Sequence, residues 1–227
     1  FDGITIAAMV KELHLNLDGG RFNKIAQPEA DELLITGKGA NGQCRLLLSA
    51  SASLPLIYFT SKNKPSPMTA PNFCMLLRKH IGSARIVSVK QPGLERILEF
   101  ELEHLDEMGD LCRKRLIVEL MGKHSNIIFC KEDGTILDSI KHVSAQVSSV
   151  REVLPGRTYF IPHTTEKEDP LTITEEAFHT LMKEASSPVQ KALYQKLTGI
   201  SPVIGTELCH LASIDADAWS GELSDLE

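Results

Sequence analysis

Leu94-Glu95-Arg96-Ile97-Leu98-Glu99-Phe100-Glu101-Leu102-Glu103 is the stretch that decides the fold. Leu98, Phe100 and Leu102 fall on one side of an extended chain, and Glu99, Glu101 and Glu103 on the other. A period of two is that of a strand with one face buried and one face wet. Continued backwards, the register puts Arg96 on the apolar face and Glu95 on the polar one, where a guanidinium needs a partner to offset its desolvation. Two readings stay open. Arg96 is a strand-end arginine, paired to a carboxylate or reaching water along its apolar stem, or it is presented at a sheet rim to a ligand phosphate or base.

Arg113–Met121 repeats the pattern, with Leu116, Val118 and Leu120 on one face and Arg113, Arg115, Ile117 and Glu119 on the other. It leads into the polar corner Gly122-Lys123-His124-Ser125-Asn126 before the apolar run Ile127–Cys130. Such a corner suits a hairpin connection or, with glycine beside Lys, His, Ser and Asn, close backbone approach to a phosphate. Further short β-rich runs at 21–27, 31–36, 44–50, 84–90, 126–131 and 135–142 predict an antiparallel sheet. Ile6, Val10, Leu13 and Leu17 have helical spacing and stop at Gly19-Gly20, which predicts one opening helix. Prolines 55, 65, 67 and 71 punctuate the stretch before a second predicted helix, residues 72–80, striped by Phe73, Leu76, Leu77 and His80. After a polar linker at 164–172, three short helices are expected, opened by Thr174, Ser187-Pro188 and Ser201-Pro202.

The whole chain of 227 residues is 42% hydrophobic and 24% charged, which excludes a disordered segment and a disulfide-stapled miniprotein. Its net charge of −6 is uneven: no Lys or Arg follows Lys196, so the entire acidic excess lies after it. The remainder is balanced and leaves room for local basic surface. No apolar run is long enough for a membrane helix, and Phe1-Asp2-Gly3 does not open like a signal peptide, so no membrane partner and no export are expected. Cys44, Cys74, Cys112, Cys130 and Cys209 form an odd set without a CxxC pair and read as reduced core thiols.

Gly37-Lys38-Gly39-Ala40-Asn41-Gly42 lacks the Lys-Ser/Thr pair of a phosphate loop, having Gln43-Cys44 instead, and reads as a hairpin with an Asn-Gly turn. The eight histidines show no HxxxH or HxxEH spacing, and no metal is expected. No GxSxG elbow is present. Leu197-Thr198-Gly199-Ile200-Ser201-Pro202 looks like the hairpin of a helix-hairpin-helix element. Ser201 stands where DNA-binding versions carry a second glycine and acidic residues follow, which favours a scaffold role over phosphate binding.

Phe1-Asp2-Gly3-Ile4, the pair Glu95-Arg96, the block Glu119-Leu120-Met121-Gly122-Lys123-His124-Ser125-Asn126-Ile127-Ile128 and Pro155-Gly156 together resemble the N-terminal NFACT domain of the RqcH/NEMF family. Bacterial members have also been called fibronectin-binding protein A. The resemblance covers essentially the whole chain. It implies an α+β fold: residues 1–168 as an antiparallel-sheet domain with flanking helices, like the N-terminal domain of Fpg/MutM DNA glycosylases, and residues 169–227 as a small all-α helix-hairpin-helix domain. The family's coiled coil and RNA-binding NFACT-R domain have no match here, so an N-terminal fragment is expected. Those glycosylases use an N-terminal Pro-Glu pair as nucleophile and acid, and this chain begins Phe1-Asp2, so no enzyme and no cofactor are expected.

The family acts in ribosome-associated quality control. The partners implied are tRNA, in bacteria alanyl-tRNA recruited for template-free C-terminal tailing, and the large ribosomal subunit with its rRNA and a stranded peptidyl-tRNA; the location implied is cytoplasmic. The family's Asp-Arg pair for tRNA engagement falls on Glu95-Arg96, with Glu95 one methylene longer than the usual Asp, and its acidic-apolar pair falls on Glu119-Leu120. Lys123, His124, Ser125 and Asn126 are expected as additional RNA contacts. The older family name carries a rival expectation, a surface adhesin that binds fibronectin. Fold kinship alone suggests a nucleic-acid lyase, which is analogy.

Overall fold

The structure is a computed structural model that describes residues 1–162 and 166–224; Thr164 and Thr165 of the expected linker, and the acidic Asp225 and Glu227, lie outside the described residues. Contacts divide the chain into two units. The first holds Phe1, Ala8–Gln91 and Ile97–Pro162, and the second holds Asp2–Ala7, Pro92–Arg96 and the residues after Pro162.

The first unit is built on a nine-stranded antiparallel sheet. In chain order its strands are β1 (Arg21–Glu29), β2 (Glu32–Gly39), β3 (Gly42–Ser49), β4 (Leu56–Phe59), β5 (Arg85–Lys90), β6 (Ile97–Leu105), β7 (Leu111–Glu119), β8 (Asn126–Lys131) and β9 (Ile136–Ser139). The spatial order is β4-β3-β2-β1-β5-β6-β7-β8-β9. Two meanders therefore meet at β1 and β5, where Arg21↔Arg85 is the sole registered pair. Helix α1 (Gly3–Leu17) contributes its first residues to the second unit and the rest to the first, and α2 (Asn72–Ile81) packs on β1 and β6.

The predicted period of two holds in β6, and the predicted apolar face of β7 is buried, although the second half of β7 is buried on both faces. Leu98, Phe100, Leu102, Leu116, Val118 and Leu120 are all buried, and the Phe100 ring lies 5.9 Å from that of Phe22. On the opposite face Glu99, Glu101 and Glu103 form a ladder with cations of both neighbouring strands. Arg115 grips Glu99 through two 2.7 Å bonds, Arg113 reaches Glu101 at 2.8 Å, and Lys90 reaches Glu101 from β5 at 3.1 Å. Opposite charges on facing strands fix the register that the apolar face also demands.

That polar face does not stay polar. Ile97, Ile117, Ile128, Cys130, Ile136 and Val153 form a second core under it. It is closed by the segment Val143–Ile161, whose only strand-like pairings are the isolated Thr135↔Thr158 and Val143↔Val153. An irregular strap thus does the covering that α2 does on the other side.

The second unit has three helices, α3 (Glu175–Lys183), α4 (Val189–Lys196) and α5 (Pro202–Leu211), around Met182, Val189, Ala192, Leu193, Leu197 and Cys209. Thr174 caps α3 by accepting from the Ala177 amide, and Ser201 caps α5 by accepting from Ile204, with Pro202 in its first turn, as the start signals require. Leu94 belongs to this core and not to the sheet.

Several sequence expectations move. The strand begins at Ile97, because the turn Pro92-Gly93, closed by the Glu95 amide donating to the Pro92 carbonyl at 2.9 Å, takes residues 94–96 out of the extended register. Arg96 is consequently exposed and not turned into the apolar face. Strand β4 was hidden by Pro55 and by its brevity. The β2–β3 hairpin turns on Ala40-Asn41, one residue before the expected Asn-Gly, with Gly39 paired to Gly42. In α2 the buried stripe is Phe73, Cys74, Leu77 and Ile81, leaving Leu76 and His80 at its margin. All five cysteines are unpaired; Cys74, Cys130 and Cys209 are buried core residues, whereas Cys44 and Cys112 are only half-buried and not in the core as expected. No helix among the described residues is long and apolar enough to cross a membrane.

Candidate functional site

The corner after β7 owes its shape to three residues of the sequence block. Gly122 takes φ +55°, a conformation side chains rarely adopt, and so starts a single 3-10 turn, Gly122–His124. The Ser125 hydroxyl accepts from the Met121 amide at 2.8 Å and closes that turn from within. Asn126 staples the far side: its Nδ2 donates to the Lys141 carbonyl at 2.9 Å, and its Oδ1 accepts from the Ile127 and Lys141 amides. Ser125 and Asn126 are 1% and 2% exposed, so neither offers surface to a partner. Lys123 and His124 are the outward pair, both exposed, with no side-chain hydrogen bond to another described residue.

Glu119 and Leu120, at the end of β7, are 0% and 1% exposed. Leu120 is an apolar core residue. Glu119 is a buried carboxylate with both oxygens occupied: the Tyr159 hydroxyl donates to Oε1 at 2.9 Å, and the Arg151 guanidinium donates to Oε2. Burial raises the Glu119 pKa above its ordinary value, although Arg151 and the Tyr159 hydroxyl pull it back. The same burial and the neighbouring carboxylate push the Tyr159 phenol up. Arg151 lies over the Tyr159 ring at 5.4 Å and also donates to the Phe160 carbonyl at 2.6 Å. Cys130, beneath them, is held inert by burial, its thiol pushed up to about 12.

Glu95 and Arg96 lie in the second unit, whereas Glu119, Leu120 and the corner lie in the first. Among the described residues Arg96 has no carboxylate at ion-pair distance, and its exposure fits both an arginine that reaches water and one presented to a ligand. Lys167 joins it electrostatically: burial lowers the Lys167 pKa and the Arg96 charge lowers it further, while Glu95 acts in the opposite sense. Its Nζ donates to the Tyr194 carbonyl at 2.8 Å. Lys167, Arg151 and Tyr159 carry no motif of their own and were not anticipated.

The opening Phe1-Asp2-Gly3 has a structural job. Asp2 caps α1, its Oδ1 accepting from the Thr5 amide at 2.8 Å and from the Thr5 hydroxyl at 2.9 Å, and its Oδ2 accepts from Ser201 at 2.6 Å. Burial alone would raise the Asp2 carboxyl, but the bonds from Ser201 and Thr5 outweigh it and hold the pKa below 3.8. Stability from this carboxylate is therefore present above 3.8 and is lost as pH falls through the lower folded-state value. Asp2→Ala is expected to cost about 0.5–2 kcal/mol at neutral pH. Urea midpoints measured from neutral pH downwards should show the gap to the unmodified chain closing in acid. A gap of constant size would mean that ionisation of Asp2 contributes nothing.

Among the described residues no group of three or more His, Cys, Asp or Glu side chains is placed to hold a metal ion. An exposed arginine thus lies beside a carboxylate in one unit, and an exposed Lys-His pair lies at the corner in the other.

Residues 2–227 match the family described as NFACT N-terminal and middle domains. The chain is 36% identical over 217 residues to the Rqc2 homolog RqcH of Bacillus subtilis, a match covering 94% of this chain and 38% of that protein. It is 26% identical over 204 residues to the ribosome quality control complex subunit NEMF of Mus musculus, covering 90% of this chain and 18% of the mouse protein. Among solved structures, the N-terminal part of the fibronectin/fibrinogen-binding protein from Streptococcus suis superposes with a TM-score of 0.86 at 36% identity, covering 95% of this chain and 81% of that one. The N-terminal domain of the fibronectin-binding protein PavA from Streptococcus pneumoniae gives 0.84 at 34% identity, with 93% and 79% covered. The chain spans about two-fifths of the length of the RqcH relatives it matches. A family match running almost end to end, over a fold shared with those structures, shows that the chain belongs to the NFACT family of ribosome quality-control proteins that includes RqcH and NEMF.

Proposed function

We propose that this chain is an RNA-binding region of a ribosome-associated quality-control factor, engaging tRNA and the large ribosomal subunit that carries a stalled peptidyl-tRNA. In this reading it recruits alanyl-tRNA for template-free tailing, in the cytoplasm, and performs no covalent step itself, since peptide transfer belongs to the ribosome. The first domain, residues 1–168, is read as glycosylase-like, and residues 169–227 as a helix-hairpin-helix scaffold, the α4–α5 connection through Gly199 supplying the hairpin.

The observation that carries the reading is Arg96: exposed, on a turn fixed by the second unit's core at Leu94, and without an ion-pair partner among the described residues. A planar guanidinium presented this way suits phosphate or a base edge. In the full-length protein, Arg96→Ala is expected to leave the melting temperature within a few degrees and large-subunit binding intact. Recovery of tRNA should fall roughly five- to 150-fold, the loss of one charged contact. Arg96→Lys should restore only part of it, keeping the charge without the fork. Undiminished tRNA recovery from a folded Arg96→Ala protein would move the role to Lys123 and His124.

A second reading rests on the two streptococcal structures, whose proteins are named for fibronectin binding. Fractionation of cells producing the native full-length protein decides between them: a surface pool that binds fibronectin supports adhesion, and a wholly ribosome-associated pool supports the RNA reading.

A further inference from the structure

Glu119 sits in the sequence block that the RNA-binding reading draws on, yet it has no exposed surface with which to touch RNA. Its two oxygens are taken by Tyr159 and Arg151, which lie 40 and 32 residues further along the chain. We propose that Arg151 and Tyr159 are positioning residues for RNA engagement, and that Glu119 acts through them by clamping the strap Val143–Ile161 beside the Lys123–His124 corner. The inference rests on the RNA-binding reading above, takes Lys123 and His124 as additional RNA contacts beside Arg96, and names the groups that hold that corner in place.

The strap has few other fastenings. Val143 and Val153 exchange backbone bonds of 3.0 and 2.7 Å within the strap, and Gly156, Arg157 and Tyr159 each make one backbone bond to the β8–β9 hairpin. Between those points the chain is irregular, and Val147 and Val150 are exposed, so side chains must supply the order that a helix or strand would supply from its own backbone. The clamp does so at a single locus. Arg151 bonds to Glu119 and to the Phe160 carbonyl, joining the middle of the strap and its C-terminal end to the end of β7. The Tyr159 ring has the guanidinium carbons of Arg151 and Arg115 at 5.4 and 6.0 Å from its centroid, and Arg115 is itself pinned by Glu99.

The corner begins three residues after Glu119, and the residue between Leu120 and Gly122, Met121, packs against the core that the strap closes. Fixing Glu119 and the strap therefore fixes the root of the corner, and Ser125 and Asn126 fix its far end. Lys123 and His124 are left projecting from a frame with two anchored sides. Replacing the carboxylate by an amide keeps the volume but strands the Arg151 guanidinium without its counter-charge, which buried sites tolerate poorly. Strap and corner should then loosen together while the sheet stays folded.

The test uses the full-length protein with Glu119→Gln, Arg151→Gln, their double variant, and Tyr159→Phe, which removes one hydrogen bond, keeps the ring and should fold even where the others do not. Hydrogen exchange of amides 143–161 and tRNA recovered from cells are read on each. Every single variant is expected to speed strap exchange and to lower tRNA recovery roughly fivefold or more, and the double should lose no more than the worse single, as members of one interacting unit do. If Glu119→Gln loses tRNA while Arg151→Gln and Tyr159→Phe recover it fully, Glu119 acts on RNA without the clamp and the proposal is wrong. Strap exchange unchanged in all variants overturns it too. A wild-type protein that recovers no tRNA brings down the RNA-binding reading itself, whereas normal wild-type recovery with an indifferent Tyr159→Phe removes the clamp's part alone.

Discussion

A chain carrying Gly199→Ala is expected to melt well below the unmodified protein, by roughly 6–12 °C for a loss of about 3 kcal/mol. Gly199 takes φ +74°, and a Cβ on it would lie 2.1 Å from the Leu94 carbonyl oxygen and 2.7 Å from the Leu94 Cβ. Gly3 is in the same position from the other side, its missing Cβ also 2.1 Å from that oxygen, and its amide donates to the Gly199 carbonyl at 2.9 Å. Three backbones meet where no side chain fits, and no flexible group there can give way. Gly109 supplies the control: it has φ +86° with nothing within 4 Å, so Gly109→Ala incurs backbone strain alone. Thermal melts of the two variants should differ clearly. Equal melting temperatures would show that the close approach at Leu94 carries no weight. Leu94 stands two residues before Arg96, so the Gly199 variant is also expected to disturb the turn that presents the arginine.

Phe100→Ala is expected to cost about 3–5 kcal/mol, the lost transfer energy of the ring plus the cavity it leaves. Phe100 is 0% exposed at the centre of β6, flanked by Leu98 and Leu102 and tilted against Phe22. The surrounding side chains belong to strands registered on both sides, to Val89 in β5 and Leu116 in β7, and cannot collapse inward without breaking those ladders. Urea denaturation measures this through a lowered midpoint at unchanged slope. Phe100→Leu, which keeps most of the volume, should lose much less. A Phe100→Ala loss below about 1 kcal/mol would place the ring outside the main core.

The sheet was legible because its physics is local. Alternation over Leu98–Glu103 reports burial directly, whereas in β7 every residue from Leu116 on is buried, and the caps Thr174 and Ser201 announce α3 and α5 through bonds to amides three residues away. Reading went astray where tertiary structure reassigns a residue. Leu94 is apolar and buried, so it extends the strand pattern on paper, but it is buried in another core, and the strand stops short of Arg96. Ser125 and Asn126 looked like ligands for a phosphate because polar residues beside a glycine are suited to that; in the fold their polar atoms answer the backbone of their own corner. The family block did mark Glu119, but nothing in the block says that the carboxylate points inward. Arg151 and Tyr159 were invisible for the complementary reason: an ion pair between distant positions leaves no period and no spacing in the sequence, and only the strap's return over the sheet brings them to Glu119.

The order of the strands bears on how the sheet can form. Within each meander every strand pairs with its neighbour in the chain, so β1 to β4 and β5 to β9 can each zip up from hairpins, through contacts that close short loops cheaply. Within the sheet only the meeting of Arg21 with Arg85 joins chain segments far apart, and α2 lies on one strand of each meander, β1 and β6. Contacts of long sequence separation are the slow ones. The seam between β1 and β5 is accordingly expected to close after the two meanders, and α2, which lies on β1 of one and β6 of the other, ties them together once it has closed.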